Sequence, residues 1–191
     1  DGTGFTVLKD FDYSTDGAYL YAGLTQGTDR ALYGTAYYGG IGGYGTVFKL
    51  NTDGTGFTVL QNFDYFTTGG YLYGSGVTQG ADGALYGTTE GGPAGAGTVY
   101  MLNTDGTGFT MLKSFDNGAD GGYPYGALLA GADGNLYGVT YQGGDAGLGT
   151  VYRLLLEGND PPEAMCKDVT LWGGAGCTAA ASIGDGSYVP E

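Results

Sequence analysis

Asp-Gly-Thr-Gly-Phe-Thr stands at residues 1–6, again at 53–58 and again at 105–110, a spacing of 52 residues both times. Self-similarity at a fixed period of this size marks a repeat architecture, in which each copy buries its faces against its neighbours. Copies one and three align without a gap: Phe11 falls on Phe115, Tyr21 on Tyr125, Tyr33 on Tyr137 and Thr46 on Thr150. Copy two gains one residue near Ser75 and loses one near Glu90, which restores the period. Changes that cancel inside a copy identify it as one structural unit. The repeats therefore run 1–52, 53–104 and 105–156. Residues 157–191 lie outside the pattern.

Each copy contains four candidate strands, which in copy three are 109–115, 123–129, 135–141 and 149–155. Turn residues separate them. Asn103-Thr104-Asp105-Gly106 and Ala132-Asp133-Gly134-Asn135 read as hairpin turns, because Asp and Gly tolerate the dihedrals such turns need. Gly-Thr-Val-Tyr-Arg-Leu at 149–154 alternates its side chains between two faces. With 43 Gly, 18 Tyr and little Glu or Lys, the chain favours short strands over helices. The expected fold class is all-β, with β-propeller-like blades of four antiparallel strands and a short C-terminal β segment. A β-solenoid is the alternative, although its coils are usually shorter. Tyr33, Tyr86 and Tyr137, beside Gly34, Gly87 and Gly138, are expected to fill the space between blades.

The strand order carries a further expectation. The chain opens on an outermost strand, 5–11, that has no blade of its own. The third copy ends on a third strand, 150–156, so the last blade lacks its outer strand. One can complete the other: within one chain as a three-bladed ring, between two chains as a six-bladed ring, or between many as an open polymer, since heterologous contacts that do not close make filaments.

Charge narrows the partners. Asp and Glu number 20 against 6 Lys and Arg, for a net charge of −14. Such a surface repels phosphate backbones and anionic lipids, so neither nucleic acid nor membrane insertion is expected. No apolar run approaches the ~20 residues that span a bilayer. Histidine is absent, which removes Ser-His-Asp and Cys-His mechanisms. Cys166 and Cys177 flank the Gly-rich run 172–176, a spacing suited to a hairpin-closing disulfide and so to an oxidising compartment.

Two sets of residues are candidates for binding. Asp12 and Asp16 match Asp116 and Asp120 on the loop after the first strand. Oxygen-rich loops of this kind suit Ca²⁺, with its 6–8 oxygen ligands. The competing reading is that these carboxylates accept from backbone amides within turns. Copy two keeps Asp64 but has Thr68 at the second position. Tyr37, Tyr38 and Tyr141 lie beside long Gly-rich loops, where their rings suit stacking on a glycan; the alternative is that they pack between blades. No other cofactor is expected.

Gly80-Ala81-Asp82-Gly83-Ala84-Leu85-Tyr86-Gly87-Thr88 and Gly45-Thr46-Val47-Phe48-Lys49-Leu50 resemble the bacterial GloVer-type tandem repeat. Its Ser-Phe-Asp stretch is matched by Ser114-Phe115-Asp116. The resemblance covers residues 1–156 and implies a secreted or surface-anchored bacterial protein with no assigned activity. Members usually carry more copies than three. After Pro161-Pro162, the stretch 164–171 resembles the opening strand of an Ig-like, HYR-type surface module. The function expected is a non-enzymatic extracellular structural or adhesive protein that partners itself or other surface proteins, with a glycan-binding propeller as the alternative. A carbohydrate-active enzyme has the least support.

Overall fold

The structure, a computed structural model, describes residues 2–156, and contacts group Asp1–Leu154 into one unit. The described residues contain no helix. They form eleven strands: β1 (Thr25–Gln26), β2 (Leu32–Ala36), β3 (Thr46–Leu50), β4 (Thr58–Asn62), β5 (Thr78–Gln79), β6 (Leu85–Thr89), β7 (Thr98–Leu102), β8 (Thr110–Ser114), β9 (Leu129–Ala130), β10 (Leu136–Val139) and β11 (Val151–Leu154). These make three antiparallel sheets in chain order, β1 to β4, β5 to β8 and β9 to β11. Neighbours in sequence are neighbours in each sheet, so every sheet is a simple meander. The first two sheets match the expected four-stranded unit, the third has three strands, and none has coils stacked in parallel.

The sequence repeat and the sheet are out of phase. The turn that joins β3 to β4 is Asn51-Thr52-Asp53-Gly54, where the Gly54 amide donates to the Asn51 carbonyl at 3.0 Å. Asp53 Oδ1 accepts from the Thr55 amide at 2.9 Å and from its hydroxyl at 2.7 Å. The signature hexapeptide therefore opens inside a hairpin, and its Phe-Thr leads into the outer strand of the preceding copy's sheet. Residues 103–107 repeat the arrangement between β7 and β8.

Packing follows one rule in all three sheets. Gly34, Gly87 and Gly138 in the second strand face Phe48, Tyr100 and Tyr152 in the third. A Cβ on Gly87 would lie 2.5 Å from Tyr100 Cζ, so only glycine lets the ring cross the strand there. The outer strand then ends in a Phe that seals against the next sheet. Phe63 meets Tyr100 at 5.0 Å between centroids, and Phe115 meets Tyr152 at 5.4 Å. Phe63, Tyr100, Leu72, Val77 and Leu102 belong to one continuous buried cluster. Each such side chain contributes roughly 1.5–3 kcal/mol on burial. Threonines add polar links between sheets: the Thr25 hydroxyl donates to the Val77 carbonyl, and its equivalent Thr78 to the Leu128 carbonyl.

Tyr33, Tyr86 and Tyr137 do more than fill space. Their hydroxyls donate to Asp29, Asp82 and Asp133 in the Asp turns, at 2.8, 2.6 and 2.6 Å. The bond from Tyr137, with those from Asn135, holds the Asp133 carboxyl down at about 2.

Two expected strands differ. In copy three the second strand shrinks from 123–129 to Leu129–Ala130, and its equivalents β1 and β5 are equally short. Tyr19, Tyr71 and Tyr123, which head these segments, hold φ of 60°, 63° and 56°. That left-handed backbone interrupts a strand, and Pro124 lacks the amide a ladder needs. Residues 5–11 also form no strand, because no partner strand lies beside them among the described residues.

Candidate functional site

The third sheet is open where the others are closed. β11 pairs with β10 and, among the described residues, with no strand on its other side. Val47 and Val99, which sit under β4 and β8, are fully buried, whereas the equivalent Val151 is 80% exposed. A cavity of about 440 Å³ lies along this edge, lined by Phe115, Asp120, Val151, Tyr152 and Arg153 among others.

The strand type missing from that edge exists elsewhere in the chain. Residues 1–8 and 53–60 are the same octapeptide, and in 53–60 it leads into β4. Residues 5–11 already sit against the first sheet as β4 sits against the second. Phe11 packs on Phe48 at 4.9 Å, as Phe63 packs on Tyr100. Leu8 lies over Gly54, as Leu60 lies over Gly106. Lys9 pins the segment, pairing with Asp16 at 2.5 Å and standing 4.6 Å above the Phe57 ring.

Asp12, Asp16, Asp116 and Asp120 are placed in two equivalent turns. Asp12 Oδ1 accepts from the Ser14 and Thr15 amides at 2.9 and 3.1 Å. Asp16 accepts from Lys9 and from the Asp12 amide. Asp116 accepts from the Gly118 amide at 2.9 Å, and Asp120 pairs with Lys113. In copy two Lys9 becomes Gln61 and Asp16 becomes Thr68, so both partners of the pair change together. The Thr68 hydroxyl keeps the bond to the backbone, accepting from the Asp64 amide at 2.8 Å. The described residues contain no group of three or more His, Cys, Asp or Glu arranged to hold a metal ion.

Tyr37, Tyr38 and Tyr141 belong to a larger assembly that the residue pattern did not reveal. Tyr37 and Tyr38 touch at 4.3 Å, and Tyr141 lies 5.4 Å from Tyr125. The three equivalent tyrosines Tyr21, Tyr73 and Tyr125 form a row across the sheets, with centroids 5.3 and 5.8 Å apart. Tyr37 joins the row through Tyr21 and Tyr73. The left-handed tyrosines hold this face together. Tyr71 donates its amide to the Tyr44 carbonyl of the preceding copy and accepts from the Glu90 amide, and Tyr123 does the same with Ala96 and Tyr141.

Glu90 sits within this face. Its carboxylate accepts from the Tyr37 hydroxyl at 3.3 Å and the Tyr125 hydroxyl at 3.4 Å. Burial, then the bond to Tyr38 and the nearby Glu90 charge, raise the Tyr37 hydroxyl far above the usual tyrosine range. Counting from Tyr33 and Tyr86, Glu90 is the equivalent of Tyr37 and Tyr141; that alignment was the available signal. Cys166, Cys177 and the Ig-like stretch 164–171 lie outside the described residues.

An all-β chain of three tandem sheets, the first two completed by a strand of the next copy, is a repeat protein. The family model of the Gloeobacter/Verrucomicrobia repeat matches residues 67–166, more than half of the 191-residue chain, and the chain belongs to that family. Among curated proteins none matches.

Proposed function

We propose that this is a non-enzymatic structural repeat module of the cell exterior whose copies join end to end by strand addition. The observation that carries this reading is the open edge of β11 beside a cavity, together with an unpaired segment, 5–11, of the type that fills that place in the other two sheets. The register of β4 on β3 and of β8 on β7 is the template for the docked strand. Carrying the β3 residues forward by two periods and the β4 residues back by one sets Thr150 against Asp10, Val151 against Lys9, Tyr152 against Val7 and Arg153 against Thr6 of a second copy. Main-chain hydrogen bonds give such an added strand its affinity, and alternate side chains give it specificity. The Phe11 ring of the incoming copy would already be seated on its own Phe48, so the junction reproduces the contact between sheets within one chain. The absence of histidine and the use of the loop carboxylates in turns favour a structural over a catalytic role.

Light scattering over a concentration series tests the proposal. The mass of the intact chain should rise with concentration, and deletion of residues 1–11 should hold it at the monomer. A synthetic peptide of residues 1–11 should bind the deleted chain, and Val151→Pro should abolish that binding. Equal masses for the intact and deleted chains, with no peptide binding, would refute strand addition.

A further inference from the structure

We propose that the tyrosine face binds an organic cation, an alkylated ammonium group, over Glu90. Three observations converge there. The first is the supply of rings. Tyr21, Tyr73 and Tyr141 are 56%, 49% and 62% exposed. Together with Tyr37 and Tyr125 they form a continuous aromatic surface of edge-on and tilted rings. The faces of such rings attract cations through their quadrupoles, and aromatic cages recognise quaternary ammonium groups in this way.

The second is the carboxylate. The two sister copies have Tyr37 and Tyr141 at the position of Glu90, so the repeat fold does not require an acid there. Its two hydroxyl bonds are long, at 3.3 and 3.4 Å. The ion pairs of the described residues use Lys9, Lys49 and Lys113, and none includes Glu90. A negative charge among negative ring faces, in a chain of net charge −14, is complementary to a cation.

The third is backbone strain. Tyr19, Tyr71 and Tyr123 all hold a left-handed φ. Bulky side chains avoid this region, and non-glycine residues held there cluster where a surface has a task. Here the repeated strain turns the chain so that successive copies present their tyrosines on one face. Alkylation of the ammonium matters because a weakly hydrated cation surrenders its water to aromatic rings more readily than a bare one does.

The experiment is a titration of the intact chain with choline chloride, followed by saturation-transfer NMR and by tyrosine fluorescence. The neutral carbon isostere 3,3-dimethylbutan-1-ol and the neutral sugar cellotetraose are run alongside. Choline should bind and the isostere should bind at least about tenfold more weakly. Glu90→Gln should weaken choline by a similar factor with thermal stability unchanged, since the amide oxygen of glutamine still accepts from one of the two tyrosine hydroxyls and its NH2 group donates to the oxygen of the other. Tyr73→Leu, on the exposed part of the face, serves as the second variant and should also weaken choline. Equal binding of choline and its isostere, or choline binding untouched by Glu90→Gln, would overturn the proposal. Cellotetraose binding that survives Glu90→Gln, without choline binding, would assign the face to neutral glycans instead.

Discussion

Replacing Tyr100 by Phe removes one oxygen from the middle of the molecule and leaves the ring in place. Tyr100 is fully buried between the second sheet and Phe63, and its hydroxyl has no hydrogen-bond partner among the described residues. Burial holds that hydroxyl protonated well beyond the ordinary tyrosine range. Protein mutational data put the cost of burying a hydroxyl without a partner at about 1–3 kcal/mol. Against this stands the small loss of dispersion where the oxygen sat, a fraction of a kcal/mol for a single atom. The equivalent position in the first sheet is already Phe48, which is also buried, so the site accepts the ring without its oxygen. The expected net gain is about 1 kcal/mol. For a chain of this size that raises Tm by roughly 2–4 °C. Urea unfolding followed by circular dichroism should show a higher midpoint at unchanged slope, and a thermal scan should show the matching rise. A Tyr100→Phe variant less stable than the parent by about 1 kcal/mol would mean that the hydroxyl has a partner, and the reasoning would fail.

Two further outcomes are expected. Burial raises the hydroxyls of Tyr33, Tyr86, Tyr100 and Tyr152 above their unfolded value near 10. Their contribution is therefore complete below pH 10 and declines as pH rises beyond it, because the unfolded chain ionises first; a urea midpoint flat between pH 9 and 11 would contradict this. Thr88 is buried and donates to the Pro124 and Gly126 carbonyls of the segment that leads into β9, both at 3.1 Å. Thr88→Val should cost about 1–3 kcal/mol in urea unfolding by leaving those carbonyls unmatched, and a change below about 0.5 kcal/mol would show that the link between sheets does not depend on it.

The period and the strands at 109–115, 135–141 and 149–155 were legible because they rest on local signals: turn dipeptides, alternation and exact recurrence. That a copy's first strand is an outer strand without a blade of its own was legible too, by analogy with strand order in propellers, and β4 on β3 and β8 on β7 follow that pattern. The second strand was misjudged for a reason that composition hides. Tyr123-Pro124-Tyr125 looks strand-like by propensity, yet contacts with the preceding copy hold Tyr123 left-handed, and only the assembled sheets supply those contacts. The tyrosine face was half legible. Tyr37, Tyr38 and Tyr141 were identifiable from their place beside Gly-rich loops. The row through Tyr21, Tyr73 and Tyr125 depends on how successive sheets stack, and the one-residue offset of copy two hid the place of Glu90.

Because the β3–β4 and β7–β8 hairpins straddle the boundary between two copies, the first and second sheets are each stitched from one copy and the beginning of the next. Recombination between equivalent positions of any two copies then joins a correct third strand to a correct fourth one, wherever the crossover falls. A gene built this way can lengthen or shorten by whole periods without ever encoding a broken sheet, so copy number is free to drift while the fold at each junction stays the same.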